Sequence, residues 1–186
     1  VRTFGIPDDH IRFIDNATAG IMRESIDWLI NIGKATPDAE LFFYYSGHGS
    51  NDESSREPYL LPVDVTGKYI KLGISLNELY AKLSEVPCQA SYVFLDACFS
   101  GGYKSKEPLV AQKGVRVVPK YSMLGGKLIC FSSSSGEQTS SVYYDKRQGY
   151  FTYYLIKTIQ DAGGNISLGD LYNKTREKVE AATAVS

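Results

Sequence analysis

The chain of 186 residues is poor in the side chains that build metal centres and disulfide frameworks. It has two histidines, His10 and His48, and three cysteines, Cys88, Cys98 and Cys130. An odd cysteine count with no CxxC spacing argues against a disulfide scaffold and against a zinc site. Reduced thiols in the cytoplasm are the expectation. No apolar run reaches the roughly 20 residues that a membrane-spanning helix needs. No charged start, apolar core and small-residue cleavage site marks a signal peptide, although a chain beginning at Val1 reads as a processed or excised piece. A formal net charge of -1 gives no electrostatic reason to expect nucleic acid or an anionic membrane as partner. Internal repeats and low-complexity tails are lacking too.

What is present is an ordinary globular composition, 43% hydrophobic and 22% charged, in a length that fits one domain with a proper core. Apolar side chains at Met22, Ile26, Leu29, Ile30 and Gly33 have helical spacing, with Gly33 and Pro37 as stop signals. Leu41 to Tyr45 reads as a buried strand, followed by the polar loop "GSNDESSREP" and the apolar piece "YLLPVD". Ser75-Leu76-Asn77-Glu78 has the capping-box pattern and predicts a helix buried through Leu76, Leu79, Tyr80 and Leu83, closed by Pro87. Further strands are expected at Tyr92–Leu95 and from Lys127 to about Ser132. Helices are expected over 150–161 and, after Ser167-Leu168-Gly169-Asp170, through about Ala181. Continuous apolar strands between amphipathic helices predict an α/β domain, its mainly parallel sheet flanked by helices on both faces.

Two strand ends share a pattern. "FFYYSGHGS" carries His48 between glycines, and "SYVFLDACFSGG" carries Asp96 and Cys98 before a glycine pair. Neighbouring parallel strands end at one edge of a sheet, where ligands bind in such folds. His48 and Cys98 would then form a nucleophile and its base. Gly49 would let its backbone N–H approach a ligand closely and, with the N–H of Cys98, bind an oxyanion. Cys88 and Cys130 read as small buried hydrophobes, and His10 as a plain polar residue.

"YYSGHGS" and "FLDACFSGG" resemble the histidine and cysteine motifs of caspase-like cysteine peptidases, nearest the metacaspase and bacterial caspase-like branch. The likeness continues in "YLLPVD", "SSSSGEQTSS" and "GYFTYYLIKTI" and covers most of the chain. It implies a caspase-like three-layer fold over residues 1–186 as a single domain. It also implies a cysteine endopeptidase acting on peptide or protein substrates through a Cys98–His48 dyad. Family members begin with a further central strand, and "VRTFGIPDDHIRF" looks like what normally follows it, so that first strand is expected to be missing.

The resemblance further implies an acidic S1 pocket for Arg or Lys, built on Asp96 and Glu137. Asp96 has an alternative reading as a carboxylate that caps its turn, and Val142 stands where another acid is expected. The stretch over 101–126 carries Lys104, Lys106, Lys113, Arg116 and Lys120, either as a solvated surface loop or as a self-processing segment. No cofactor or metal is required by the sequence. The resemblance allows calcium activation, and Asp52, Glu53 and Asp64 are acids near the site without EF-hand spacing. Two other function classes stay open: a non-catalytic or zymogen module of a larger protein, and a cysteine hydrolase acting on a non-peptide amide.

Overall fold

A computed structural model describes residues 5–99, 127–133, 142–143 and 148–183. The chain forms two compact units, Asp15–Thr139 and Val1–Ile14 with Ser140–Ser186.

The larger unit opens with helix α1, Ala19–Ala35. Thr18 caps it, its hydroxyl accepting from the Ile21 N–H at 3.4 Å, and the Asp64 carboxylate accepts from the Ala19 N–H at 2.8 Å. Both oxygens satisfy N–H groups that the first turn leaves unpaired. Gly33 does not stop this helix as expected. A Cβ there would stand 2.6 Å from Val86 Cγ1 and 2.7 Å from Leu41 Cδ1, so the glycine is a point of close packing. The helix ends two residues later, ahead of Pro37.

Strand β1, Glu40–Ser46, follows. Then come β2, His48–Asn51, and β3, Pro58–Leu61. A 3-10 segment, Gly67–Leu72, leads to β4, Ile74–Ser75, and to helix α2, Leu76–Ser84. The Ser75 hydroxyl accepts from the Glu78 N–H at 3.1 Å, as the capping-box spacing predicts. Strands β5, Ala90–Asp96, and β6, Leu128–Ser132, complete the unit. The central sheet has the order β1-β5-β6 and is parallel throughout, while β2-β3-β4 form a separate antiparallel sheet.

Side chains alternate across the central sheet. Leu41, Val93, Leu95 and Leu128 face one core with Met22, Ile26 and Ile30 of α1 and Leu76, Leu79, Tyr80 and Leu83 of α2. Each fully buried side chain of this size contributes about 1.5–3 kcal/mol. The opposite face is aromatic. Phe42 stacks on Tyr92 at 4.8 Å between centroids, and Phe94 on Phe131 at 5.2 Å.

The smaller unit holds a short antiparallel pair, β7 (Val142–Tyr143) with β8 (Gln148–Gly149), and helices α3, Tyr150–Asp161, and α4, Leu168–Thr183. Ser167 caps α4, accepting from the Asp170 N–H at 3.1 Å and donating to its carboxylate at 2.8 Å. Lys178 joins the two helices through Thr158 at 3.3 Å and Asp161 at 3.4 Å. A parallel sheet flanked by helices is the α/β class that the sequence predicts. Among the described residues no helix is long and apolar enough to cross a membrane.

One element differs from expectation. His48 was expected in a turn leading into a polar loop, yet His48–Asn51 pair with β3 as a strand, His48 opposite Leu61 and Asn51 opposite Pro58. Glycine and asparagine are poor strand formers. The buried "PYLL" strand imposes the pairing on them.

Candidate active site

Strands β1 and β5 run side by side from Glu40 opposite Ala90 to Ser46 opposite Asp96. The ladder ends level, and the Gly47 N–H adds a last bond to the Asp96 carbonyl at 3.1 Å. His48 and Cys98 each lie two residues beyond that final pair. The sheet register thus brings to one edge two residues that are far apart in the chain.

Beyond the ladder the two segments touch. An ideal Cβ on Gly49 would stand 2.5 Å from Cε1 of Phe99, 2.7 Å from its Cδ1 and 3.0 Å from the Cys98 carbonyl oxygen. The sequence offered one reason for a glycine here, access for a ligand. The structure adds another, since the Phe99 ring fills the place a side chain would take. The Asn51 side-chain amide, at the end of β2, donates to the Phe99 carbonyl.

The three thiols sit in different surroundings. Cys88 is 1% exposed, with its sulfur 3.4 Å from the Ser91 hydroxyl. Cys130 is half-buried, 3.3 Å from the Tyr80 hydroxyl, and burial pushes its thiol up from the ordinary value. Cys98 is partly exposed although the residues on either side, Ala97 and Phe99, are buried. Thiolate chemistry needs that access.

His48 is exposed at the start of β2. Its carbonyl accepts from the Tyr45 hydroxyl at 2.8 Å, and the same hydroxyl lies 3.1 Å from the Leu61 carbonyl. Tyr45 thereby ties the end of β1 to both strands of the β2–β3 hairpin. Sequence reasoning placed Tyr45 in a strand and Asn51 in a loop, and assigned neither a part in the site. Their partners are backbone atoms brought close by folding, which no spacing pattern reveals.

Asp96 closes β5 and is 5% exposed. Strand alternation sets it on the aromatic face, opposite the core side of Leu95. Glu137, Lys104, Lys106, Lys113, Arg116 and Lys120 lie outside the described residues. The three acids named with calcium do not form a cluster. Asp64 caps α1, and Asp52 accepts from the Ser54 and Ser55 backbone and side chains and pairs with Lys71 at 3.5 Å. The Ser54 hydroxyl above all holds its carboxyl well below the usual carboxylate range. Among the described residues no group of three or more His, Cys, Asp or Glu side chains could hold a metal ion.

A probable protease of a Desulfuromonadales bacterium is 25% identical over 126 residues, 66% of this chain and 15% of the relative. Metacaspase-3 of Arabidopsis thaliana is 27% identical over 201 residues, 93% of this chain and 54% of the relative. Metacaspase-1 of Lodderomyces elongisporus is 26% identical over 116 residues, 56% of this chain and 25% of the relative. The chain therefore spans at most about half the length of these relatives. The family model for the caspase domain of the C14 peptidases matches residues 4–186. The chain belongs to the caspase-domain family.

Proposed function

We propose that this domain is a cysteine endopeptidase with Cys98 as nucleophile and His48 as base. The observation that carries the reading is the level end of the β1–β5 ladder, from which both residues follow at the same offset. The Cys98 thiolate attacks the carbonyl carbon of the scissile peptide bond. The carbonyl oxygen becomes an oxyanion, held by the N–H groups of Gly49 and Cys98. Protonated His48 gives its proton to the leaving amine as the C–N bond breaks, which leaves a thioester on Cys98. Water, deprotonated by His48, then attacks the thioester, releasing the acid and restoring the thiol.

Asp96 and Glu137 form the specificity pocket in this reading and favour Arg or Lys at P1, since a carboxylate pairs with guanidinium in a bidentate way. The basic side chains from Lys104 to Lys120 then supply sites for self-processing. The family membership and the metacaspase relatives support the peptidase reading.

Fluorogenic peptides with Arg, Lys or Asp at P1 test it, assayed with wild type and Cys98→Ala, with and without calcium. Cleavage after Arg or Lys that disappears in the variant is expected. Faster cleavage after Asp would remove the acidic pocket, and cleavage surviving in Cys98→Ala would remove the dyad. Intact mass of both proteins after long incubation reads self-processing, and a wild-type chain that keeps its full-length mass would exclude it.

A further inference from the structure

Asn51 is 4% exposed at the last position of β2. An amide buried this deeply costs free energy unless it is hydrogen-bonded, whereas an apolar side chain would fill the space without that cost. Its Nδ2 donates to the carbonyl of Phe99, 48 residues further along the chain. The segment after β5 has by then left its sheet, whose last bond is the one from Gly47 to the Asp96 carbonyl. Beyond that bond, two side chains reach the backbone. The Ser133 hydroxyl donates to the Ala97 carbonyl at 3.4 Å, and Asn51 donates to that of Phe99. Cys98 is carried between these two tethered carbonyls. One tether starts from the segment that follows β6, and the other from the strand that begins with His48.

We infer that Asn51 is a positioning residue that fastens the Cys98 loop to the His48 strand, so that nucleophile and base are held in one register. The inference rests on the Cys98–His48 reading above. Three features converge on it. Asn51 and His48 share a four-residue strand. The Phe99 ring packs on Gly49 of that same strand. The Phe99 side chain is itself fully buried, so the carbonyl that Asn51 holds belongs to a fixed residue. Loss of the tether lets the thiol drift relative to the imidazole, and a displacement of about 1 Å can cost on the order of 10²-fold in rate.

Two variants test this, Asn51→Asp and Asn51→Leu, each followed by kcat and KM on the best peptide and by the rate at which iodoacetamide alkylates Cys98. Leucine offers no donor at any pH. An introduced carboxyl donates while protonated and repels the Phe99 carbonyl once ionised. The expected result for Asn51→Asp is a rate relative to wild type that falls as pH rises, in both kcat and Cys98 alkylation, with KM little changed. Asn51→Leu should lose on the order of 10²-fold in kcat, by a factor that does not vary with pH. A purely structural role would not produce that difference in pH profile. The inference is overturned if Asn51→Asp follows wild type at every pH, or if its loss is as flat as that of Asn51→Leu. The carboxyl variant decides the matter even where circular dichroism shows that the leucine variant has unfolded. Cleavage that persists in Cys98→Ala would defeat the peptidase reading separately, and the alkylation rates would still decide the tether.

Discussion

The ring of Phe99 occupies the space that a side chain on Gly49 would need, with Cε1 2.5 Å from the ideal Cβ position. Phe99 is fully buried, so its ring is enclosed by the core and cannot swing out into solvent. Gly49→Ala should therefore cost about 1–3 kcal/mol, the usual range for overpacking a filled core. Urea unfolding followed by tryptophan fluorescence measures it. A change within a few tenths of a kcal/mol would mean that the loop yields freely.

Tyr45→Phe removes the hydroxyl shared by the His48 and Leu61 carbonyls. The loss should be about 1 kcal/mol at neutral pH. Burial above all pushes the Tyr45 phenol up to about 12. A folded pKa above the unfolded one gives stability that is complete below the ordinary value near 10 and lost as pH rises through the folded value. Wild type should thus lose its advantage over Tyr45→Phe between roughly pH 10 and 12. Urea midpoints of both proteins across that window show whether the gap closes.

Asp52 gathers the 52–57 turn by accepting from Ser54 N at 3.1 Å, Ser55 N at 2.8 Å and the Ser55 hydroxyl at 3.0 Å. Asp52→Asn should cost about 2 kcal/mol at neutral pH, the scale of hydrogen bonds to a charged group. The folded pKa is depressed, so this contribution is present above the ordinary carboxylate range and fades as pH falls below it. Stability curves of the two proteins should converge in acid. A constant difference down to the lowest pH at which both fold would contradict the assignment.

Native alkylation should mark Cys98 first. Cys88 is sealed at 1% exposure, and burial raises the Cys130 thiol. Peptide mapping after brief iodoacetamide treatment should find label on Cys98 alone, and on all three cysteines once urea is added. Comparable labelling of Cys130 in the native protein would show that the half-buried environment of that thiol does not protect it.

Local signals carried most of the fold. The capping spacings at Ser75 and Ser167 foretold the starts of two helices, because a hydroxyl and the N–H three residues on meet within one turn. The apolar runs at 41–45 and 92–95 foretold neighbouring strands, but the expected burial holds for the second alone: in the first only Leu41 is buried, and Phe42 and Tyr44 are exposed on the aromatic face. Gly33 was misread because its purpose lies in Val86 and Leu41, outside its own helix. The strand from His48 to Asn51 was misread because its partner strand, and not its own residues, makes it extended. Within the site, His48 and Cys98 stood out through repeated surroundings at two strand ends. Asn51 and Tyr45 did not, since their roles depend on carbonyl groups whose positions exist only in the folded chain.

The parallel pairing of β1 with β5 also sets when the site can exist. Parallel neighbours need a long crossover, and here the partners are 50 residues apart, Glu40 with Ala90 and Ser46 with Asp96. Contacts of such separation form late, because the entropy of closing the intervening loop must be overcome first. As the chain leaves the ribosome, His48 emerges well before the strand that will carry Cys98 beside it. A nascent or locally unfolded chain has both side chains but no site. In the proposed reading, reactivity is thereby withheld until the core between α1, α2 and the sheet has closed.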